Sequence, residues 1–125
     1  YLGTESEQKT WKRQQTALLQ IAEDCRTRGI PFHLVLFPLL LDLDDYEFFD
    51  VEAAIADFAR RSAIPSFSLT PGFLGEKDHT LWVASNDQHP NEKGHEIAAR
   101  TLLPYVRDLL HQDSPHDAPG VPSAR

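Results

Sequence analysis

Apolar positions along residues 8–28 recur at steps of four and three, the spacing of one stripe on a helix. The stripe consists of Trp11, Gln15, Leu18, Ala22 and Cys25. Gly29 follows and ends the pattern. The spacing predicts an amphipathic helix over residues 8–28.

The next segment, IPFHLVLFP at residues 30–38, is almost continuously apolar and lies between prolines. A β-favouring run without alternation is typical of a strand covered on both faces, as in a parallel sheet flanked by helices. Residues 32–37 are therefore predicted to form a strand. The acidic and aromatic segment at 39–49 has no clean period, and we predict a loop there, with a helical turn as the alternative for part of it.

A second helix and a second strand are predicted next. Asp50 is a candidate N-cap, apolar positions follow on one face, and two arginines precede Ser62, near which the helix should end. The segment PSFSL at residues 65–69 predicts a short strand, which TPG at residues 70–72 ends.

A loop over residues 73–86 precedes the last predicted helix, which runs from Asn91 towards Leu110. Pro104 falls inside this helix and predicts a kink or a break, because its ring removes one backbone hydrogen bond. Residues 112–125 contain three prolines and no apolar period, and they are expected to form a flexible tail.

This order of helices and strands is typical of an α/β layered domain, which we expect over residues 1–111. Two strands are too few for such a sheet, because a covered parallel strand needs neighbours on both edges. Part of the sheet is therefore expected to come from elsewhere.

Composition narrows the classes of function. The chain has 125 residues, enough for one domain, and a net charge of −7 at pH 7. This acidic balance argues against nucleic acid, whose binding depends on clustered Lys and Arg. No segment approaches the ~20 apolar residues of a membrane span. The single Cys25 has no second thiol for an intrachain disulfide.

One short segment carries candidate chemistry, SNDQHPNEKGH at residues 85–95. A neutral imidazole takes a proton from a hydroxyl nucleophile near pH 7 when a carboxylate fixes its tautomer. Asp87 lies two residues before His89, and in an extended or turn segment the two side chains can point to the same side. Pro90 restrains the histidine just before the last helix.

A purely structural interpretation competes with the catalytic one. Asp-x-His is common in surface loops, and Asn91 followed by an acidic residue is typical of any helix start. A metal site from His79, Asp87, His89 and His95 lacks a spacing that puts two ligands on one helical face, so we expect no metal.

Four further residues are candidates for other roles. Trp82 and Val83 precede the loop directly, and they are candidates either for a substrate-binding pocket or for the core. His33 lies in an apolar strand and is expected to be a core histidine bonded to backbone. His95 is expected to pack or cap the last helix.

The run LWVASNDQHPNEKGHEIAARTLLPYV, residues 81–106, resembles the last signature block of the SGNH (GDSL-type) serine hydrolases. The resemblance implies the C-terminal part of a flavodoxin-like three-layer α/β/α sandwich with a parallel sheet. It also implies that His89 is the general base and Asp87 its orienting acid, with no cofactor. Because the usual family spacing puts the acid at the position of Asn86, this residue is the alternative orienting group.

None of the serines lies in the Gly-Asp-Ser context that the resemblance implies. We therefore expect an ester hydrolase, an esterase or lipase, whose serine lies on the N-terminal half of the same domain, as a separate or cleaved segment. The chain alone would then be inactive. Its substrate would be a lipid ester, an acetylated sugar or a small-molecule ester, and a related acyltransferase would use the same residues. The alternative is a non-catalytic binding or assembly module with this fold.

Overall fold

The computed structural model describes residues 3–112, which contain three α-helices and two small sheets. In chain order the elements are α1 (Glu5–Thr27), β1 (Leu34–Leu36), α2 (Phe49–Arg61), β2 (Ser66–Ser68), β3 (Trp82–Ala84), β4 (Asp87–Pro90) and α3 (Glu92–Gln112). Within this part of the chain, no helix combines the length and apolar character needed to cross a membrane. The tail predicted after α3 lies outside the described residues.

Helix α1 begins three residues before the predicted start, because Thr4 and Glu7 cap it. The Thr4 side chain accepts the Glu7 N–H, and the Glu7 carboxylate accepts the Thr4 N–H. The predicted stripe is confirmed, since its five members are the half-buried residues of this helix and the others are exposed. From this stripe Trp11 meets Phe58 of α2 edge to face, with ring centroids 5.6 Å apart.

Strands β1 and β2 pair in parallel, with Val35 opposite Phe67. Because side chains alternate along a strand, these two residues share one face and Ser68 lies on the other. Phe67 stacks on Tyr105 of α3 at a centroid distance of 4.7 Å, whereas Ser68 donates to Glu52 of α2 at 2.9 Å. The small parallel sheet thus has a helix on each face, and the predicted α/β class is confirmed.

The hydrophobic core lies beneath the segment that joins β1 to α2. Its buried members are Leu40, Leu43, Tyr46, Leu69, Phe73, Leu81 and Ile97. Three of them belong to the irregular segment 39–49, which the sequence predicts as a loop. Residues 39–48 of this segment have no regular secondary structure and are held by the burial of apolar side chains, whereas Phe49 begins α2.

Two local predictions were wrong. Phe48 occupies the N-cap position of α2, where its ring packs on Tyr46, and Asp50 lies in the first turn instead. The predicted loop 73–86 contains β3, which pairs antiparallel with β4. Strands this short carry too few residues to show an alternating pattern. Of the kink or break predicted at Pro104, the break does not occur, since helix α3 continues across this residue.

Candidate functional site

Asp87 and His89 both lie on β4, where residues two apart point to the same side of the strand. Nδ1 of His89 is 2.6 Å from Oδ1 of Asp87, which also accepts the main-chain N–H of His89 at 3.1 Å. Because an ionised carboxylate only accepts, the ring proton belongs on Nδ1 and the lone pair on Nε2. The ring contact first, and the backbone contact second, lower the pKa of the Asp87 carboxyl.

Both side chains of the pair are open to solvent, 86% for His89 and 45% for Asp87. An ion pair at such exposure contributes little to stability. No residue in the described range 3–111 donates to or accepts from Nε2 of His89. The base position is therefore accessible to a group brought by a substrate or by another polypeptide segment.

Asn91 fixes the pair relative to the rest of the domain. Its Oδ1 accepts the N–H of Gly94 at 3.1 Å and so caps α3, as the sequence predicted. Its Nδ2 donates to the carbonyls of Thr80 and Trp82 at 3.0 and 3.1 Å. One side chain thus joins the start of α3 to β3, two residues after the histidine.

A cleft of about 510 Å³ opens beside the pair. Residues 37–41, FPLLL, form one wall, and residues 85–90, which include Asp87 and His89, form the other. The apolar wall follows the carboxyl end of β1, the end at which open α/β sheets bind ligands. The histidine is therefore placed where a small molecule could be held against it.

The remaining predicted site residues have different positions. Asn86, the alternative orienting residue, lines the cleft. Among the described contacts, however, the side chain bonded to the His89 ring is that of Asp87. Trp82 and Val83 are outside the lining of this cleft. The Trp82 indole donates to the carbonyl of Leu40 at 2.7 Å and packs on the core, so it supports the apolar wall from behind.

The other histidines lie elsewhere. Nδ1 of His33 is 2.7 Å from the hydroxyl of Tyr105, so its partner is a side chain and the predicted backbone bond is wrong. His95 is exposed on α3. Across the described part of the chain, no three His, Cys, Asp or Glu side chains come together as a metal site.

A polar cluster around Glu52 was missed by the sequence reasoning. Its carboxylate accepts hydrogen bonds from Tyr46 and Ser68, both at 2.9 Å, and from Thr70. Burial, and then the contact with Glu52, raise the pKa of Tyr46 to about 12. Glu52 lies three residues before Ile55, on the inward side of α2. An acidic residue at the spacing of the apolar face was therefore the sequence signal that could have revealed this cluster.

In this geometry the His89 ring could accept a proton at Nε2 while Asp87 orients it, at the mouth of a mainly apolar cleft. The described residues bring no hydroxyl into hydrogen bond with it. Comparison of the chain with protein-family models, curated proteins and solved structures gives no match.

Proposed function

We propose that this chain supplies the acid–base half of an ester hydrolase of the SGNH type, with His89 as general base and Asp87 as its orienting acid. The observation that carries the proposal is the 2.6 Å contact between His89 Nδ1 and Asp87 Oδ1 beside the apolar cleft. This contact leaves Nε2 free to take a proton. The resemblance of residues 81–106 to the family's last block agrees with it.

The proposed reaction passes through an acyl-enzyme. Nε2 of His89 removes the proton of a serine hydroxyl as the serine oxygen attacks the ester carbonyl, and Asp87 stabilises the imidazolium. The imidazolium then returns the proton to the leaving alcohol. In the second half, water attacks the acyl-serine while Nε2 takes one of its protons. The imidazolium then returns this proton to the serine oxygen as the acyl–oxygen bond breaks, which releases the carboxylic acid and regenerates the free serine and neutral His89. No cofactor takes part in these steps.

The serine and the oxyanion groups are assigned to another segment, the N-terminal half of the same domain. Ser85 lines the cleft, but it lies in the turn between β3 and β4, without the strand-to-helix setting of a nucleophile elbow. Within the described residues, β1 pairs only with β2, so its other edge has no strand beside it. Further parallel strands at this edge would extend the sheet towards the proposed flavodoxin-like sandwich.

The proposal is tested by exposing the purified protein to a fluorophosphonate, followed by mass spectrometry under denaturing conditions. We expect label on a companion polypeptide with a Gly-Asp-Ser block, and loss of labelling and of ester turnover in His89→Ala and Asp87→Ala. His79→Ala is the matched control, because His79 also lies near an aspartate, with its Nδ1 3.6 Å from Asp78, but away from the cleft.

A non-catalytic binding module is the second candidate. It is favoured by the lack of a nucleophile, since no hydroxyl of the described residues is hydrogen-bonded to His89. Unlabelled protein with no companion segment, or turnover that survives both Asp87→Ala and His89→Ala, would support this module and contradict the hydrolase.

A further inference from the structure

We propose that His89 is itself a nucleophile, and that the chain alone hydrolyses activated aryl esters through an acyl group carried on Nε2 of this residue. Histidine is among the side chains that form covalent intermediates in catalysis. This activity goes beyond the proposed function, because it needs no serine and no companion segment. It requires a lone pair at Nε2, access for an electrophile, and a partner for the positive charge that the ring gains.

The lone pair at Nε2 is fixed from the opposite side of the ring. Oδ1 of Asp87 lies 2.6 Å from Nδ1 of His89 and also accepts its main-chain N–H, so the ring is held in one orientation on β4. Because a carboxylate only accepts, the proton stays on Nδ1 and the neutral ring presents its lone pair at Nε2. An imidazole without such a partner divides its neutral form between two tautomers.

The ring of His89 is also accessible. Its side chain is 86% exposed, and none of the residues that the structure describes is hydrogen-bonded to Nε2. The ring borders the cleft of about 510 Å³, which has room for a small aromatic ester. His33 is different, since it is half-buried and its Nδ1 is bonded to the hydroxyl of Tyr105.

Asp87 stabilises the charge that develops when the ring is acylated. As Nε2 attacks a carbonyl carbon the ring becomes positive, and the hydrogen bond from Nδ1 to the carboxylate becomes charge-assisted and stronger. His79 and His95 are also exposed, but Nδ1 of His79 is 3.6 Å from Asp78. No described residue is hydrogen-bonded to the ring of His95. We therefore expect His89 to react about tenfold faster than either of them.

The proposed reaction has two steps. Nε2 of His89 attacks the ester carbonyl, the bond between the acyl carbon and the aryl oxygen breaks, and a phenolate leaves with the electron pair of that bond. The acyl-imidazolium keeps its proton on Nδ1, against Asp87. Water then attacks the acyl carbon and loses a proton to solvent as the bond to Nε2 breaks, which releases the carboxylic acid and restores neutral His89. A phenolate is a weaker base than an alkoxide, so the substrate class is the aryl esters.

The first experiment compares the reactivity of the histidines. The 125-residue chain is treated briefly with diethyl pyrocarbonate, which leaves a stable ethoxycarbonyl group on an imidazole nitrogen, and peptide mass spectrometry locates the group. We expect His89 to be modified about tenfold faster than His79 and His95.

A matched pair of variants separates the effect of Asp87 from that of exposure. Asp87→Asn keeps the size of the side chain, and it should lower the rate at His89 to that of His95. Asp78→Asn makes the same change beside His79 and should leave the rate at His89 unchanged. Equal rates at the three histidines of the original chain, or an unchanged rate at His89 in Asp87→Asn, would overturn the inference.

The second experiment measures turnover of p-nitrophenyl acetate, after fluorophosphonate treatment has removed any serine-dependent hydrolysis. Release of p-nitrophenolate should fall to the uncatalysed rate in His89→Ala and should persist in His95→Ala. Ethyl acetate, with its alkoxide leaving group, should stay intact. Turnover that survives His89→Ala would contradict a nucleophilic role of this residue.

Failure of this inference and failure of the proposed function give different results. Selective acylation of His89 in a preparation without a fluorophosphonate-labelled companion contradicts the hydrolase alone. Label on a companion polypeptide, with His89 no more reactive than His95, contradicts the nucleophilic histidine alone.

Discussion

Oδ1 of Asp87 accepts two hydrogen bonds from His89, one from the ring Nδ1 at 2.6 Å and one from the main-chain N–H at 3.1 Å. One carboxylate oxygen thus fixes both the backbone and the ring of the histidine. Asp78 and His79 are also neighbours, but their closest ring contact is 3.6 Å, too long for a hydrogen bond. Sequence proximity of Asp and His is therefore insufficient, and the extended backbone of β4 makes the difference.

Replacing Asp87 with Asn should allow the neutral ring of His89 to carry its proton on either nitrogen. The variant keeps the shape of the side chain but removes the charge that holds the proton on Nδ1. Nitrogen NMR of the imidazole should show Nδ1–H as the main neutral form in the original protein and a mixture in the variant. If the proposed hydrolase assembles with its serine-bearing segment, its kcat should fall by about 10⁴-fold in this variant. An unchanged tautomer would contradict the role given to Asp87.

Titration of the Asp87 carboxyl at acidic pH provides a second test of its contact with His89. The folded chain lowers the pKa of Asp87, so the carboxylate adds stability above its ordinary pKa of about 3.9. That contribution is lost as the pH falls through the lower folded-state value. Carbon NMR of the Asp87 carboxyl should give a midpoint below about 3.9. It should rise in His89→Ala, and an unmoved midpoint would show that the ring contact is not the main cause.

Asn91→Ala should destabilise the domain by about 2–3 kcal/mol, since it removes the cap of α3 and two side-chain hydrogen bonds to the carbonyls of Thr80 and Trp82. Urea unfolding measures the change. Asn91→Asp keeps the capping oxygen and should recover about 1 kcal/mol of it. The control Asn86→Ala, at an exposed turn position, should change the free energy of unfolding by no more than about 0.5 kcal/mol.

The raised pKa of Tyr46 predicts that the domain loses folding stability at alkaline pH. With its folded-state pKa raised to about 12, the neutral hydroxyl adds stability that is complete below the ordinary value of about 10. This stability is lost as the pH rises from about 10 through about 12. Tyr46→Phe should cost about 1 kcal/mol at pH 7 and reduce that alkaline loss. An equal alkaline loss in both proteins, measured by urea unfolding, would rule out this assignment.

Gly72 should tolerate no side chain. An added Cβ would lie 2.0 Å from Oγ1 of Thr101, so Gly72→Ala must displace either the Thr101 side chain or α3 as a whole. We expect a loss of about 1–3 kcal/mol in thermal unfolding. Thr101→Ala in the same chain should restore part of it, because the closest atom is removed. Gly3→Ala, with open space around the added carbon, is the control and should be close to neutral.

Residue spacing was sufficient for the features that depend on near neighbours along the chain. The stripe on α1, the apolar run of β1 and the cap at Asn91 were predicted on that basis and are present. The contact between Asp87 and His89 spans only two residues, so extended backbone alone brings the side chains together. For this reason the contact between these two side chains was predictable before the fold was known.

The remaining features depend on residues far apart in the chain, and no local pattern specifies them. Ser68 reaches Glu52 across 16 positions, and His33 reaches Tyr105 across 72. The cleft likewise exists only because segment 37–41 folds back over the core, opposite β4. Local spacing thus determined the helices and the contact between Asp87 and His89, whereas packing between distant segments decided which polar groups were buried and what surface the histidine faces.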